Sequence, residues 1–227
     1  MNLRREHAPR YAAVALLVAI ATGATLLGVA MYRYPGGTVL DPHGSQHSLW
    51  FNFLCDLTSA CARNGLPNTA CRSVARAGML CLALALALFW IVLPTLLPGH
   101  KILGRAIRAA GCLSAAGVIT VPFADGALHA LAIFSASVPA LLAGVLGFAG
   151  VLRCVRDRWL LGAAAFAIVA TVVDSVLYAR KIVEQSEVDP PALPLFQRLA
   201  FLFLLIWMAM VAWRVLRLGG GERRDRP

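Results

Sequence analysis

The fold is decided by an apolar stretch at residues 77–98, which reads AGMLCLALALALFWIVLPTLLP. It contains no Asp, Glu, Lys or Arg, and it is long enough for the roughly 20 residues that an α-helix needs to cross a bilayer. Lipid offers backbone N–H and C=O groups no hydrogen-bonding partner, so a spanning segment must satisfy them internally, as a helix does. The stretch therefore predicts a transmembrane helix.

Five further apolar stretches precede or follow it, and the third carries Arg105 and Arg108 near its start, so the sequence predicts six spans. The chain is 59% hydrophobic and only 14% charged, whereas a soluble domain is about 25% charged. The predicted spans cover about 11–32, 77–98, 102–123, 126–152, 159–178 and 197–217. We expect an all-α integral membrane bundle of six transmembrane helices. It forms a single domain over 1–218, with a disordered basic tail at 219–227.

The 21 basic residues are distributed unevenly between the two ends of this predicted bundle. Most of them lie at the N-terminus, in the second and fourth connections and in the tail, as Arg10, Arg105, Arg153 and Arg214 illustrate. The positive-inside rule then predicts a cell-membrane protein with both termini in the cytoplasm. Orientation and contact with membrane lipids account for the net charge of +10. No fold motif or aromatic interleaving indicates a nucleic-acid partner.

The first outer loop is the long connection of the chain, and residues 48–62 within it read SLWFNFLCDLTSACA. Its polar residues recur at helical spacing and form one stripe, opposite an apolar face: Ser48, Asn52, Asp56 and Ser59. This pattern predicts a short amphipathic helix that lies on the membrane surface over the mouth of the bundle.

The same outer loop carries three cysteines. If this side of the membrane is oxidising, Cys61 and Cys71 are candidates for a disulfide, which would leave Cys55 unpaired. No CxxC or CxxH spacing indicates a structural zinc site.

Polar side chains at the outer ends of three predicted elements form the candidate site. They occur in pairs at i, i+4 spacing: Asn52 with Asp56, Asp125 with His129, and Asp174 with Tyr178. Ionisable groups at membrane depth are costly, so they usually pair, line a cavity or do chemistry. A histidine with two carboxylates can hold a divalent metal such as zinc, or act as a general acid and base. The expected catalytic or metal-binding residues are Asp56, His129 and Asp174, and the expected ligand-binding residues are Asn52, Asp125 and Tyr178.

The same residues also have a purely structural interpretation. Asp125 precedes a predicted helix start, where an N-cap belongs. Each of the other carboxylates has two arginines that it could pair with: Arg63 or Arg72 for Asp56, and Arg180 or Arg198 for Asp174. Spacing alone leaves the structural and functional interpretations open.

Several short motifs of the outer loop are similar to those of a known family. The segments Tyr34-Pro35-Gly36-Gly37, NFLCDL at 52–57, Asn64-Gly65 and Asn68 resemble the domain-of-unknown-function 998 family of bacterial multi-pass membrane proteins. His129 near the outer start of the fourth span is also similar to that family, although Ala130 follows it where relatives have an aspartate. The resemblance implies a six-helix membrane fold and no established activity.

Together these features predict a multi-pass membrane protein with a polar pocket facing the outer leaflet, where it binds a lipid or a membrane partner. A metal-assisted, membrane-embedded lipid hydrolase is the first alternative, and a small transporter is the second. The sequence leaves open whether the protein is an enzyme.

Overall fold

The computed structural model describes residues 3–184, 190 and 192–221, and this part of the chain is all-helical. The long helices are α1 Leu3–Arg33, α2 Thr69–Val92, α3 Lys101–Thr120, α4 Gly126–Cys154, α5 Arg158–Val183 and α6 Ala192–Gly221. Short 3₁₀ turns extend α2 over Leu93–Leu96 and α3 over Val121–Phe123. Within the described residues, all six helices are long and apolar enough to cross a membrane. The prediction of six such helices is confirmed.

The last helix differs from its predicted bounds at both ends. It begins at Ala192 rather than at 197, and it continues to Gly221. It therefore includes the first residues of the predicted tail, whereas 222–227 lie outside the described residues. The polar residues Gln197 and Arg198 thereby fall inside the first two turns of α6, where they can reach a neighbouring loop.

Helices that follow one another along the chain pack against each other, and α6 returns to contact α1 and α2. The closest pairs are α1 with α2, α3 with α4 and α5 with α6. α2 also contacts α6, so 56% of its apolar window is buried inside the protein, against 28% for each of the other five helices. α2, which carries the stretch at 77–98, is thus the central helix of the bundle.

Three aromatic side chains fill the middle of the bundle. The ring centroids of Phe89 and Trp207 are 4.9 Å apart, and the Trp90 and Trp207 rings meet edge to face at 6.1 Å. Gly111 of α3 lies directly against the Trp90 indole, and a Cβ at this position would overlap the ring. Small residues that let helices approach closely are typical of membrane bundles, because packing replaces the hydrophobic effect there.

The connection at 34–68, called loop 1 below, folds over one end of the bundle. It has its own apolar cluster, in which Leu54 and Leu57 pack with Tyr34 and with Ala75 of α2. The prediction of a surface helix in this loop is wrong. Its residues form turns and a single 3₁₀ turn, Cys55–Thr58.

The helix does not form because side-chain oxygens accept hydrogen bonds from backbone N–H groups in this segment. The Ser48 N–H donates to Asn52 Oδ1 at 2.9 Å, and the Phe53 N–H donates to Asp56 Oδ2 at 2.9 Å. Local bonds of this kind compete with a helical ladder. Two residues of the predicted polar stripe also point inward: Asn52 and Asp56 are 0% and 6% exposed, whereas Trp50 is 51% exposed. Phe53, Leu54 and Leu57 of the predicted apolar face are buried as well, so the segment is not divided into a polar and an apolar face.

The candidate disulfide does not form in this structure. All six cysteines lie in the described part of the chain and all are free. Cys71 is buried, and its thiol donates a hydrogen bond to the Leu57 carbonyl at 3.4 Å. Cys61 is exposed at the surface of the loop.

Candidate functional site

A cavity of about 310 Å³ lies at the loop 1 end of the bundle. Loop 1 and adjoining parts of α2, α4, α5 and α6 surround it, with apolar walls that include Phe53, Leu54, Met79, Ile133 and Leu193. Polar side chains lie among them, and four belong to the predicted site: Asp56, His129, Asp174 and Tyr178. The tertiary structure thus brings together, around one cavity, residues from loop 1, α4 and α5.

Asp56 lines the cavity, but both of its carboxylate oxygens are engaged. Oδ1 accepts from Arg63 Nε at 2.9 Å, and Oδ2 accepts from Asn52 Nδ2 at 3.0 Å and from the Phe53 N–H. The suggested pairing with Arg63 is confirmed. A role for Asp56 as a base or a metal ligand would require some of these bonds to open.

Asn52 lies behind Asp56 and is fully buried. Its Nδ2 donates to the Gly37 carbonyl at 2.9 Å as well as to Asp56, and its Oδ1 accepts from Ser48. Every polar atom of its side chain therefore has a partner within loop 1. Asn52 does not line the cavity, and its contacts are those of a residue that holds the loop together.

Asn68 also stabilises loop 1, at its other end. Its side-chain Nδ2 lies 3.1–3.2 Å from the carbonyls of Asp56, Leu57 and Ser59. Asn64 donates to the Pro35 carbonyl at 2.9 Å. The asparagines and the aspartate of the loop motifs thus stabilise the loop that roofs the cavity.

His129, in the first turn of α4, has a defined tautomer. Its Nδ1 lies 3.2 Å from the Val121 carbonyl oxygen, which can only accept, so Nδ1 carries the proton. In the neutral form of the ring, Nε2 is then the nitrogen with a lone pair. A histidine held in this way by a backbone carbonyl is suited to bind a metal or accept a proton at Nε2.

Asp174 projects from α5 and differs from Asp56. It is half-buried and makes no hydrogen bond or ion pair with any described residue. Arg180 instead pairs with Glu184 at 2.6 Å, and Arg198 binds loop 1, so neither arginine suggested for Asp174 serves it. Tyr178, one turn further along α5, lines the same cavity and packs at 5.9 Å from the Phe134 ring.

Asp125 occupies the N-cap position of α4, but its side chain accepts no capping hydrogen bond. It lines a separate, adjoining cavity of about 280 Å³. Cys55, Ser59 and His129 line both cavities. Asp125 therefore lies beside the main cavity rather than in it.

The sequence interpretation did not identify Gln197 of α6, which lines the cavity, and it named Arg198 only as a possible partner of Asp174. The Leu54 N–H donates to Gln197 Oε1 at 2.9 Å. Arg198 is 7% exposed and donates to the carbonyls of Leu49 and Asn52 at 3.2 and 3.1 Å. The sequence did indicate that Arg198 has partners, because a cation near the end of a span needs them. What it could not show is that backbone carbonyls supply them.

Two titratable groups of loop 1 are held neutral. Burial, and secondarily the charge of Arg198, lowers the pKa of His47 to about 4. Burial, with the Asp56 carboxylate next, raises the pKa of the Cys55 thiol to about 11. At neutral pH, Cys55 is thus a thiol rather than a nucleophilic thiolate.

Metal binding has limited geometric support. In the part of the chain that the structure describes, no three His, Cys, Asp or Glu side chains lie close enough together to hold an ion. A tetrahedral zinc site uses three or four protein ligands. The metal-binding role of Asp56, His129 and Asp174 stays a prediction.

Comparison with known proteins found no match. No family model, no curated protein and no solved structure matches this chain. The resemblance of the loop motifs to the domain-of-unknown-function 998 family stays a prediction. The function must therefore be inferred from the cavity itself.

Proposed function

We propose that this protein is a multi-pass membrane protein that binds a lipid, or another membrane amphiphile, in the cavity beneath loop 1. The observation that carries the proposal is the position of Asp174. Its carboxyl group lies in a mostly apolar cavity that His129 also lines, and no hydrogen bond or ion pair joins it to a described residue. Because an unpaired carboxyl at membrane depth is costly, a bound group that donates a hydrogen bond would stabilise it.

The lining supports an amphipathic ligand rather than an ion. Apolar side chains such as Phe53, Met79 and Ile133 provide walls for hydrocarbon, while Asp174 and His129 provide polar contacts. Binding sites for small molecules typically combine apolar walls with a few convergent polar groups. The expected head group carries a hydroxyl or an ammonium, which can donate to the carboxylate.

The roof of the cavity is preorganised. Asp56, Asn52 and Asn68 tie loop 1 to itself, and Arg198 and Gln197 tie it to α6. A loop that is already ordered loses little conformational entropy when a ligand binds. This favours a binding pocket that exists before the ligand arrives.

Lipid retention by the purified protein tests this proposal. Co-purifying lipids would be counted by native mass spectrometry for the wild type, Asp174→Asn and Ile133→Trp, with Glu184→Gln as a control carboxylate directly after α5. We expect Asp174→Asn and Ile133→Trp to lose bound lipid, because one removes the acceptor charge and the other fills the cavity. Equal lipid retention by all four proteins would refute the proposal.

A metal-assisted lipid hydrolase is a second candidate, favoured by His129 and Asp174 lining the same cavity. In that case the histidine and the carboxylate would hold a divalent ion that activates water. The test is the zinc content and lipid-cleaving activity of the purified wild type and His129→Ala. Identical values for the two proteins would count against the hydrolase.

We also propose that loop 1 faces the outside and that both termini face the cytoplasm. Support comes from the basic residues, because the end opposite loop 1 carries Arg10, Lys101, Arg153 and Arg214 on four different helices. The positive-inside rule assigns that end to the cytoplasm. The cavity would then open towards the outer leaflet.

A further inference from the structure

Another cavity, of about 300 Å³, lies at the end of the bundle opposite loop 1. It is formed by the turn that joins α2 to α3 and by the first two turns of α3. Three cations line it at helical spacing, namely Lys101, Arg105 and Arg108, and His100 lies beside them. Residues at i, i+4 and i+7 share one face of a helix, so the three positive charges line the same side of the cavity.

These cations lack an acidic partner among the described residues. The carboxylate of Asp157, at the same end, is already bound by Arg214 at 2.9 Å. The first turn of α3 adds to the positive character, because no side chain caps its free N–H groups. The cavity is therefore suited to an anion with several acceptor oxygens.

An apolar groove adjoins this basic cavity and shares Gly99, His100 and Lys101 with it. The rest of its lining is hydrocarbon, from Ile102, Leu103 and Ala106 of α3 and from Leu146 of α4. Ile102 is 84% exposed. A positively charged cavity thus continues directly into an open apolar groove along two membrane-spanning helices.

We propose that these two spaces form one binding site for an anionic phospholipid. The phosphate lies among Lys101, Arg105 and Arg108, and an acyl chain follows the groove past Leu103 and Leu146. Charge complementarity selects the head group, since basic pockets at helix ends attract anionic lipids. The site is separate from the cavity under loop 1 and does not depend on the function proposed there.

Binding of short-chain lipids to the purified protein in neutral detergent tests this proposal. The probes are dioctanoyl phosphatidylglycerol, dioctanoyl phosphatidylcholine and inorganic phosphate. Affinities would be measured for the wild type, for the triple variant K101Q/R105Q/R108Q and for the control R153Q/R156Q/R217Q. The control removes the same charge from the same end of the bundle but leaves the cavity intact. All six side chains lie outside the core, so both variants are expected to fold, which their melting curves would verify.

We expect the triple variant to bind phosphatidylglycerol at least about tenfold more weakly, with the control near the wild type. Ile102→Gln should weaken phosphatidylglycerol binding without changing the response to phosphate. Equal losses in the two triple variants would overturn the proposal, because binding would then reflect net charge alone. Equal affinity for phosphatidylcholine, or phosphate binding as tight as that of the lipid, would also overturn it.

Discussion

Asp56 and Asp174 are two carboxylates on one cavity, and their surroundings give them different roles. Asp56 accepts hydrogen bonds from Arg63, Asn52 and the Phe53 backbone, whereas Asp174 makes none with a described residue. The spacing of polar residues in the sequence does not reveal this difference. At the scale of single residues, hydrogen-bond partners separate a group that holds the fold together from one that is available to a ligand.

Replacing each carboxylate by its amide should therefore have opposite consequences. Asp56→Asn places an NH₂ group against a donor and removes the ion pair with Arg63, so we expect a loss of about 2 kcal/mol of stability. Asp174→Asn should change stability much less and lipid retention much more. Thermal unfolding in detergent, followed by circular dichroism, checks the first effect. An equal loss of stability in both variants would contradict these roles.

His47 should make loop 1 sensitive to acid. Its folded pKa of about 4 lies below the usual 6.5, so between these values the unfolded chain binds a proton that the folded chain excludes. The stabilising contribution of neutral His47 is complete above pH 6.5 and falls as the pH drops towards 4. The Arg198 guanidinium, 3.4 Å from Nε2, and the edge of the Tyr34 ring face the imidazole.

The melting temperature between pH 7 and pH 4.5 measures this effect. We expect it to fall more steeply for the wild type than for His47→Gln, which cannot titrate in this range. His100→Gln, an exposed histidine at the opposite end, is the matched control. Parallel curves for the wild type and His47→Gln would show that His47 does not control the acid response.

At the scale of elements, loop 1 illustrates why the predicted surface helix does not form. Helical spacing indicates only that side chains share a face, and it does not specify which way that face points. Here Asn52 and Asp56 point inward and bind backbone groups, while Leu49, Trp50 and Phe51 remain exposed. Phe53, Leu54 and Leu57 are buried as well, so the exposed apolar residues of the loop are those at 49–51, where an aromatic side chain suits a membrane interface.

Gly37 should be essential to this loop. It has φ of +83°, and a Cβ there would overlap the Asn64 backbone nitrogen. Gly65 has nearly the same φ, +82°, but open space around it. We expect Gly65→Ala to cost about 1–2 kcal/mol from backbone strain alone and Gly37→Ala to cost clearly more. Unfolding of the two variants under identical conditions provides the comparison, and equal costs would contradict the overlap.

At the scale of the whole molecule, two exposed native cysteines can report orientation. Cys61 lies in loop 1 and Cys154 lies at the opposite end, where α4 ends. We expect a membrane-impermeant maleimide to label a variant that retains only Cys61 on intact cells. A variant that retains only Cys154 should be labelled only after permeabilisation. The reverse pattern would overturn the orientation inferred from the basic residues.

The sequence by itself determined the six apolar helices, because each needs only its own length and composition to be recognised as a candidate span. It also identified polar positions that come to share one cavity, since depth along a span follows from residue number. Helical spacing placed Asp174 and Tyr178 on one face of α5 before any neighbour was known.

The tertiary structure decided which of these polar groups bind other parts of the protein and which line the cavity. Asn52 and Asp56 became the internal supports of loop 1, and Arg198 became its anchor to α6. Asp174 remained in the cavity without a described partner. The physical reason is that hydrogen-bond satisfaction depends on atoms distant in sequence, such as those 146 residues apart in the bond from Arg198 to Asn52. No local pattern specifies such a contact.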